Sequence, residues 1–242
     1  MTGLALAWEQ FRLERKLFWR NPSAAFFNFI LPLLLLLLVA SVFASDSSEL
    51  DVLIPGIAGM SVMATTFNAL TFNLTFLREE GVLKRIRGTP MPTASYLGGM
   101  IGSAVINAFV QVALVVVIGH LLYGVDWPRH PLTLLAFTAL GVACFAAIGV
   151  AFSHAIPNVD SVPAYTNAVF LPLILISGVF YSSDHLPTVL DAIARTFPLT
   201  HVIDGLSAGI VGGPFDEWGA AGVVGLWAAG AAFLAVRYFR WE

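Results

Sequence analysis

Six long runs without Asp, Glu, Lys or Arg in their middle fix what this chain can fold into: residues 24–44, 52–77, 96–123, 132–153, 162–181 and 219–237. A helix needs about 20 apolar residues to cross ~30 Å of hydrocarbon, and each run has that length. Helix is also the form in which such a run satisfies every backbone N–H and C=O within itself, as lipid demands. Across its 242 residues the chain is 58% hydrophobic and 11% charged, whereas soluble domains carry roughly a quarter charged residues. A water-soluble core cannot absorb that much apolar surface. The fold class that follows is all-α: a polytopic membrane protein of six transmembrane helices spanning 24–237. Pro32 and Pro172 fall well inside spans one and five, where each removes a backbone hydrogen bond and predicts a kink.

Charge sits between the runs, and its sign orients them. Arg12, Arg15, Lys16 and Arg20 precede span one, Arg78, Lys84, Arg85 and Arg87 follow span two, and Arg237 and Arg240 close the chain. That is ten of the twelve Lys and Arg residues. The other side keeps Arg129 and Arg195 among acids such as Asp46, Glu49, Asp51, Asp126, Asp184, Asp191, Asp216 and Glu217. Both termini are therefore expected in the cytoplasm. Val42-Phe43-Ala44 before Ser45 has the look of a signal-peptidase site, but the long charged leader and full-length apolar run read as a retained span.

Three segments lie outside the spans. In residues 1–22, Leu4, Trp8, Phe11 and Phe18 recur at helical spacing opposite Glu9, Arg12, Lys16 and Arg20, the pattern of a helix in the headgroup region, with a plain charged flank that sets topology as the alternative. Arg15 falls in the apolar stripe and has to snorkel; Asn21-Pro22 ends this helix and starts the next. Residues 78–94 form the most charged stretch. Its helix is predicted to end on Gly88 as a left-handed cap, with Pro90 and Pro92 forbidding continuation and Thr93 or Ser95 capping span three. The result is a short, stiff cytoplasmic elbow. In the outer segment 182–218, Leu186, Val189, Leu190, Ile193 and Phe197 repeat at helix spacing. Val202, Leu206 and Ile210 resume that spacing after Pro198, until Gly212-Gly213-Pro214. Each half is too short to span, so the segment reads as a re-entrant or interfacial hairpin, with a small external cap as the alternative.

Chemistry-bearing motifs are sparse. Lys16 and Lys84 precede Leu17 and Arg85, so neither belongs to the Gly-Lys-Ser/Thr of a phosphate-binding loop, and this chain cannot be an ATPase by that route. His120, His130, His154, His185 and His201 lack metal-ligand spacing, and no metal site is predicted. Cys144, the single cysteine, reads as a small hydrophobe inside a helix. Ser182, Asp184 and His185 form a chance trio without a nucleophile elbow, and no catalytic residue is assigned. The spans are polar only through neutral groups. Ser61, Thr65, Asn68 and Thr75 share one face of span two, and Asn107 and Gln111 lie one turn apart in span three. They either line a substrate path or hydrogen-bond between helices, and the residues alone do not choose. Gly98 and Gly102 permit a close helix contact.

The order and spacing of several motifs resemble the ABC-2 type permease family, in particular its drug-exporter and nodulation-exporter branch. They are Phe18-Trp19-Arg20-Asn21-Pro22; the loop Arg78-Glu79-Glu80-Gly81-Val82-Leu83-Lys84-Arg85-Ile86-Arg87-Gly88-Thr89-Pro90; Ile176-Ser177-Gly178-Val179-Phe180-Tyr181; Leu186-Pro187; and Phe197-Pro198-Leu199-Thr200-His201. The resemblance implies a permease subunit in a bacterial cytoplasmic membrane, paired with a second copy or a paralogue. Two ABC ATPase subunits would carry ATP and magnesium, with no cofactor on this chain. Arg78, Glu79, Glu80, Gly81, Lys84, Arg85, Arg87, Gly88 and Pro90 would then lie in the contact with the ATPase. The cargo implied is an amphipathic drug, lipid or glycolipid, and nucleic acid is not a partner. A secondary transporter or channel, and a lipid-modifying membrane enzyme, are the alternatives. The first predicts an inverted repeat and the second convergent acids or histidines at one depth; the sequence shows neither clearly.

Overall fold

The computed structural model describes residues 2–43, 47–181 and 187–238. The Ala44–Ser45 junction, the trio Ser182, Asp184 and His185, Leu186 and Arg240 lie outside the described residues. Every regular element among those described is helical. An N-terminal helix occupies Gly3–Arg20, and Asn21, at φ −110°, breaks it before span one. Span one comprises Pro22–Ala25, a π-helical turn at Phe26–Ile30 and Leu31–Phe43. Span two comprises Ser47–Met63, a second π-turn at Ala64–Asn68 and Ala69–Glu79. The elbow helix Val82–Arg87 leads to span three at Thr93–Tyr123 and span four at Pro131–Ser153. A 3₁₀ turn, Val159–Ser161, opens span five at Val162–Ile176, and span six is Glu217–Tyr238.

Local chemistry explains several of these boundaries. Pro32 has no N–H for the carbonyl of Asn28, and just before it the helix widens: the Leu31 N–H reaches back five residues to the carbonyl of Phe26. The turn at Ala64–Asn68 follows hydroxyls that compete for backbone carbonyls. Thr65 donates to Ser61 O at 2.8 Å and Thr66 to Val62 O at 2.6 Å. Span five ends at Ile176, five residues short of the predicted 181, because Gly178 turns left-handed at φ +74°. That turn delivers Val179, fully buried, onto span two at Gly56, where a Cβ would sit 2.0 Å from the Val179 carbonyl. Pro172 lies within the uninterrupted helix of span five.

Lipid tails are as apolar as leucine, so helices in a bilayer associate through close packing and small residues. Span four is the hub, touching spans two and six and the outer hairpin. At Gly149 a Cβ would lie 2.9 Å from the Phe67 carbonyl, and Thr71 Oγ1 of span two donates to the Gly149 carbonyl at 3.2 Å. Phe67, Phe145, Leu36, Ile54 and Ile57 fill the fully buried centre.

The outer hairpin is a short helix, Thr188–Ala194, and a longer one, Pro198–Ile210. The second helix is almost entirely buried, wedged between spans two and four. Its outer end is pinned where His130 N–H donates to Gly209 O at 2.9 Å. Further down, Gly209 lies on Leu134, Gly205 on the Phe137 ring, and Val202 on Gly141. Gly141 is ten residues into span four, so at 1.5 Å per residue the helix descends about 15 Å, half the hydrocarbon. This is a re-entrant hairpin and not an external cap. Its tip is held by span six: Trp227 Nε1 donates to Thr196 O at 2.8 Å, and the Trp227 ring stacks on Phe197.

Candidate functional site

The charged elbow is built as a clasp. Span two ends at Glu79, and Gly81, at φ +67°, reverses the chain without the steric cost another residue would meet. The predicted left-handed cap at Gly88 is not there; Gly88 has φ −76°, and the left-handed glycine is the one before the elbow helix. Leu83 anchors the elbow helix, buried among Leu70, Leu74, Tyr96 and Met100. With that side buried, Glu80, Lys84, Arg85 and Pro90 are exposed. Arg85 donates to the Glu80 carbonyl at 3.0 Å, and Thr89 Oγ1 to Ile86 O at 2.7 Å. The side chain of Arg87 lies outside the described residues.

Arg78, half-buried, and Glu79, itself still exposed, reach another way. The Arg78 guanidinium donates to the carbonyls of Ser153, at 2.9 Å, and Ile156, which are orphan acceptors at and just beyond the end of span four. Glu79 Oε2 accepts from the Val159 N–H at 2.6 Å, at the start of the 3₁₀ turn before span five. Asn158 completes that turn, its Oδ1 accepting from Ser161 N–H and Oγ. One cationic and one anionic side chain thus bind the elbow to the loop joining spans four and five. Sequence reasoning passed over that loop, although Asn158-x-x-Ser161 is an Asx-capping signal.

Span three receives no side-chain cap from Thr93 or Ser95; the Ser95 hydroxyl donates to the Gly3 carbonyl at 2.9 Å instead. This begins a long contact in which the N-terminal helix runs beside span three. The close glycine is Gly99, not Gly98: a Cβ there would meet Gln10 at 2.6 Å, whereas Gly98 faces open space and Gly102 lies against Phe11. Arg15 then reaches Asn107, its Nη1 donating to the Asn107 Oδ1, with Phe18 and Trp19 beneath the guanidinium. Its snorkelling therefore ends on a partner in the bundle.

The remaining polar residues divide. Ser61 donates to Ile57 O at 2.7 Å and Thr65 to carbonyls of its own helix. Gln111, fully buried, spans 3.5 Å to the Phe29 carbonyl of span one, and its Oε1 has no hydrogen-bond partner among the described residues. Asn68 Oδ1 and Thr75 Oγ1 are likewise buried without a partner among the described residues, as is Asn28 Oδ1 in the first π-turn, which the sequence reading did not single out. Among the described residues no cluster of three or more His, Cys, Asp or Glu is placed to hold a metal ion.

The sequence profile of the ABC-2 type transporter family matches residues 4–211. The chain belongs to that family. Relatives of this ABC-2 family member include the inner membrane transport permease YadH of Escherichia coli K12, 24% identical over 68% of this chain and 64% of its own length. The linearmycin resistance permease protein LnrN of Bacillus subtilis is 22% identical over 64% of this chain and 41% of its own. Nodulation protein J of Rhizobium meliloti is 24% identical over 67% and 62%. The chain thus matches 41–64% of the length of these relatives, less than two thirds in each case. The elbow, the N-terminal helix and most of the outer hairpin all fall inside the family match.

Proposed function

We propose that this chain is the membrane-spanning permease subunit of an ATP-driven exporter, seated in a bacterial inner membrane with both termini cytoplasmic. A separate ABC ATPase would supply the driving force with its own ATP and magnesium, and a second permease copy or paralogue would complete the pore. The relatives' names, a transport permease, a linearmycin resistance permease and a nodulation protein, support the class, and spans that are apolar with only neutral polar groups favour an amphipathic cargo.

The observation that carries the reading is the clasp at Arg78 and Glu79. A force applied by a partner on the exposed Glu80, Lys84 and Arg85 enters a helix seated on the core through Leu83. From there it reaches span two directly and spans four and five through hydrogen bonds. Coupling requires an element with two arrangements that both sites bias, and an elbow tied to three spans suits that role.

The test separates gripping from folding. Charge reversal at Glu80, Lys84 and Arg85 together is expected to abolish copurification with the partner ABC ATPase, while membrane insertion and detergent stability stay unchanged. Full copurification and substrate-stimulated ATP hydrolysis by that variant in nanodiscs would take the elbow out of the mechanism.

A further inference from the structure

Ionisable residues at membrane depth are costly and mark functional sites. The six spans carry none at their centres, but the re-entrant hairpin brings four to depth: Asp191, Arg195, His201 and Asp204. Asp204 lies six residues, about 9 Å, below the outer end of its helix and His201 about 14 Å below. His201, Asp204 and Ser207, spaced three apart, form the half-exposed stripe of an otherwise buried helix. They line one wall of a cleft of about 530 Å³ whose other wall is Gly219, Ala220 and Val223 of span six, with Pro214, Phe215 and Asp216 at its mouth and Arg195 at its foot.

The charges in this cleft do not cancel. Arg195 is already paired, its Nε donating to both carboxylate oxygens of Asp191 at 3.0 and 2.9 Å. His201 donates from Nε2 to the Arg195 carbonyl at 2.8 Å. Asp216 has one oxygen on the Gly219 N–H at 3.0 Å and the other uncommitted. Asp204 has neither a hydrogen bond nor an ion pair with any described residue. Two carboxylates, one midway down and one at the mouth, therefore face a cavity that they share with Arg195, His201 and Ser207 and whose apolar surface is Ala208, Pro214, Phe215, Ala220 and Val223. A volume of this size fits a small organic molecule. Arg195 and His201 offset Asp204 only in part, because Asp191 and Asp216 add to the negative side; an anion would meet net negative charge, and an uncharged molecule would leave the Asp204 carboxylate without a hydrogen bond. An organic cation satisfies both walls.

We propose that the cleft between the re-entrant hairpin and span six binds the cationic head, ammonium or guanidinium, of an amphipathic molecule in the outer half of the membrane. Asp204 is the principal counter-charge, Asp216 a second at the mouth, and the apolar wall on span six takes the adjoining methylenes. This site is distinct from the elbow and needs no ATPase to be occupied.

The experiment uses the full chain in nanodiscs of zwitterionic lipid with no ATPase present, so its result is independent of how export is powered. Equilibrium dialysis with radiolabelled dodecyltrimethylammonium, and in parallel with dodecyl sulfate, should give one saturable site for the cation and none for the anion. Asp204→Asn should weaken cation binding about tenfold, as expected for loss of one charge-assisted contact. Asp216→Asn should weaken it less, and Asp204→Glu should restore most of it. Ala220→Trp, which fills the span-six wall and keeps both carboxylates, should abolish binding and guards against misfolding of the Asp204 variant. The proposal is overturned by non-saturable binding of the cation, by equal binding of the anion, or by unchanged affinity in both Asp204→Asn and Ala220→Trp.

Discussion

Gly98 and Gly99 are adjacent and identical in kind, yet a methyl group on the first meets nothing within 4 Å while on the second it strikes Gln10 at 2.6 Å and the Phe11 backbone N at 2.8 Å. Gly99→Val should therefore push the N-terminal helix off span three at a cost of about 1–3 kcal/mol. Gly98→Val should leave the thermal midpoint in detergent unchanged; equal midpoints for the two variants would contradict the packing. Glu14 sits at the same junction, accepting from Gln10 Nε2 at 2.7 Å. Burial pushes its carboxyl above the ordinary 4.5, with the Gln10 hydrogen bond pulling the other way. A raised carboxyl binds its proton more tightly folded than unfolded, so its contribution is fully present at low pH and is lost as pH rises through the folded value. The thermal midpoint should consequently fall as pH is raised from ~5 to ~7, and Glu14→Gln should flatten that slope. A parallel slope in the variant would assign the dependence elsewhere. At this scale the sequence showed that small and polar residues were present but not which of them touch. A side chain's partner depends on helix rotation, which a one-residue difference changes by 100°.

Elements were easier to read than contacts. The N-terminal helix, its break at Asn21, the elbow and the two halves of the outer hairpin all announce themselves through spacing, Pro and Gly. What hid was the second partner of the elbow. Arg78 and Glu79 belong by sequence to the same charged cluster as Glu80, Lys84 and Arg85, and only the position of residues 153–159 separates clasp from exposed surface. The two groups should fail differently. Arg78→Ala leaves the carbonyls of Ser153 and Ile156 without their donor and should lower thermal stability by about 1–3 kcal/mol, the cost of unsatisfied buried groups. It should also lower hydrogen-exchange protection in residues 153–161. Exchange in that loop indistinguishable from the parent protein would show that the clasp does not hold it. Reversing the exposed charges should move neither quantity.

For the molecule as a whole, orientation is the expectation most open to direct test. Cys144 is the single cysteine and is fully buried. A Cys144→Ala background carrying Lys84→Cys should be labelled by an impermeant maleimide only after cells are opened, and one carrying Trp218→Cys should be labelled in intact cells. The reverse pattern would invert the topology. By itself the sequence determined that lipid is the solvent, that helices are the form, and where the apolar runs lie; among the described residues five helices are long and apolar enough to cross, and span one's apolar helix, Phe26–Val42, is shorter. Those properties depend on hydropathy and on backbone hydrogen bonding, which are summed along the chain and need no neighbours. Tertiary structure alone decided that the second outer helix packs between spans two and four, carrying Asp204 into a cleft against span six. It also decided that Arg15 finds Asn107 and that Arg78 holds span four. A charge's cost and its use depend on depth and company, and both are set by which glycine faces which helix, information that a linear pattern does not contain.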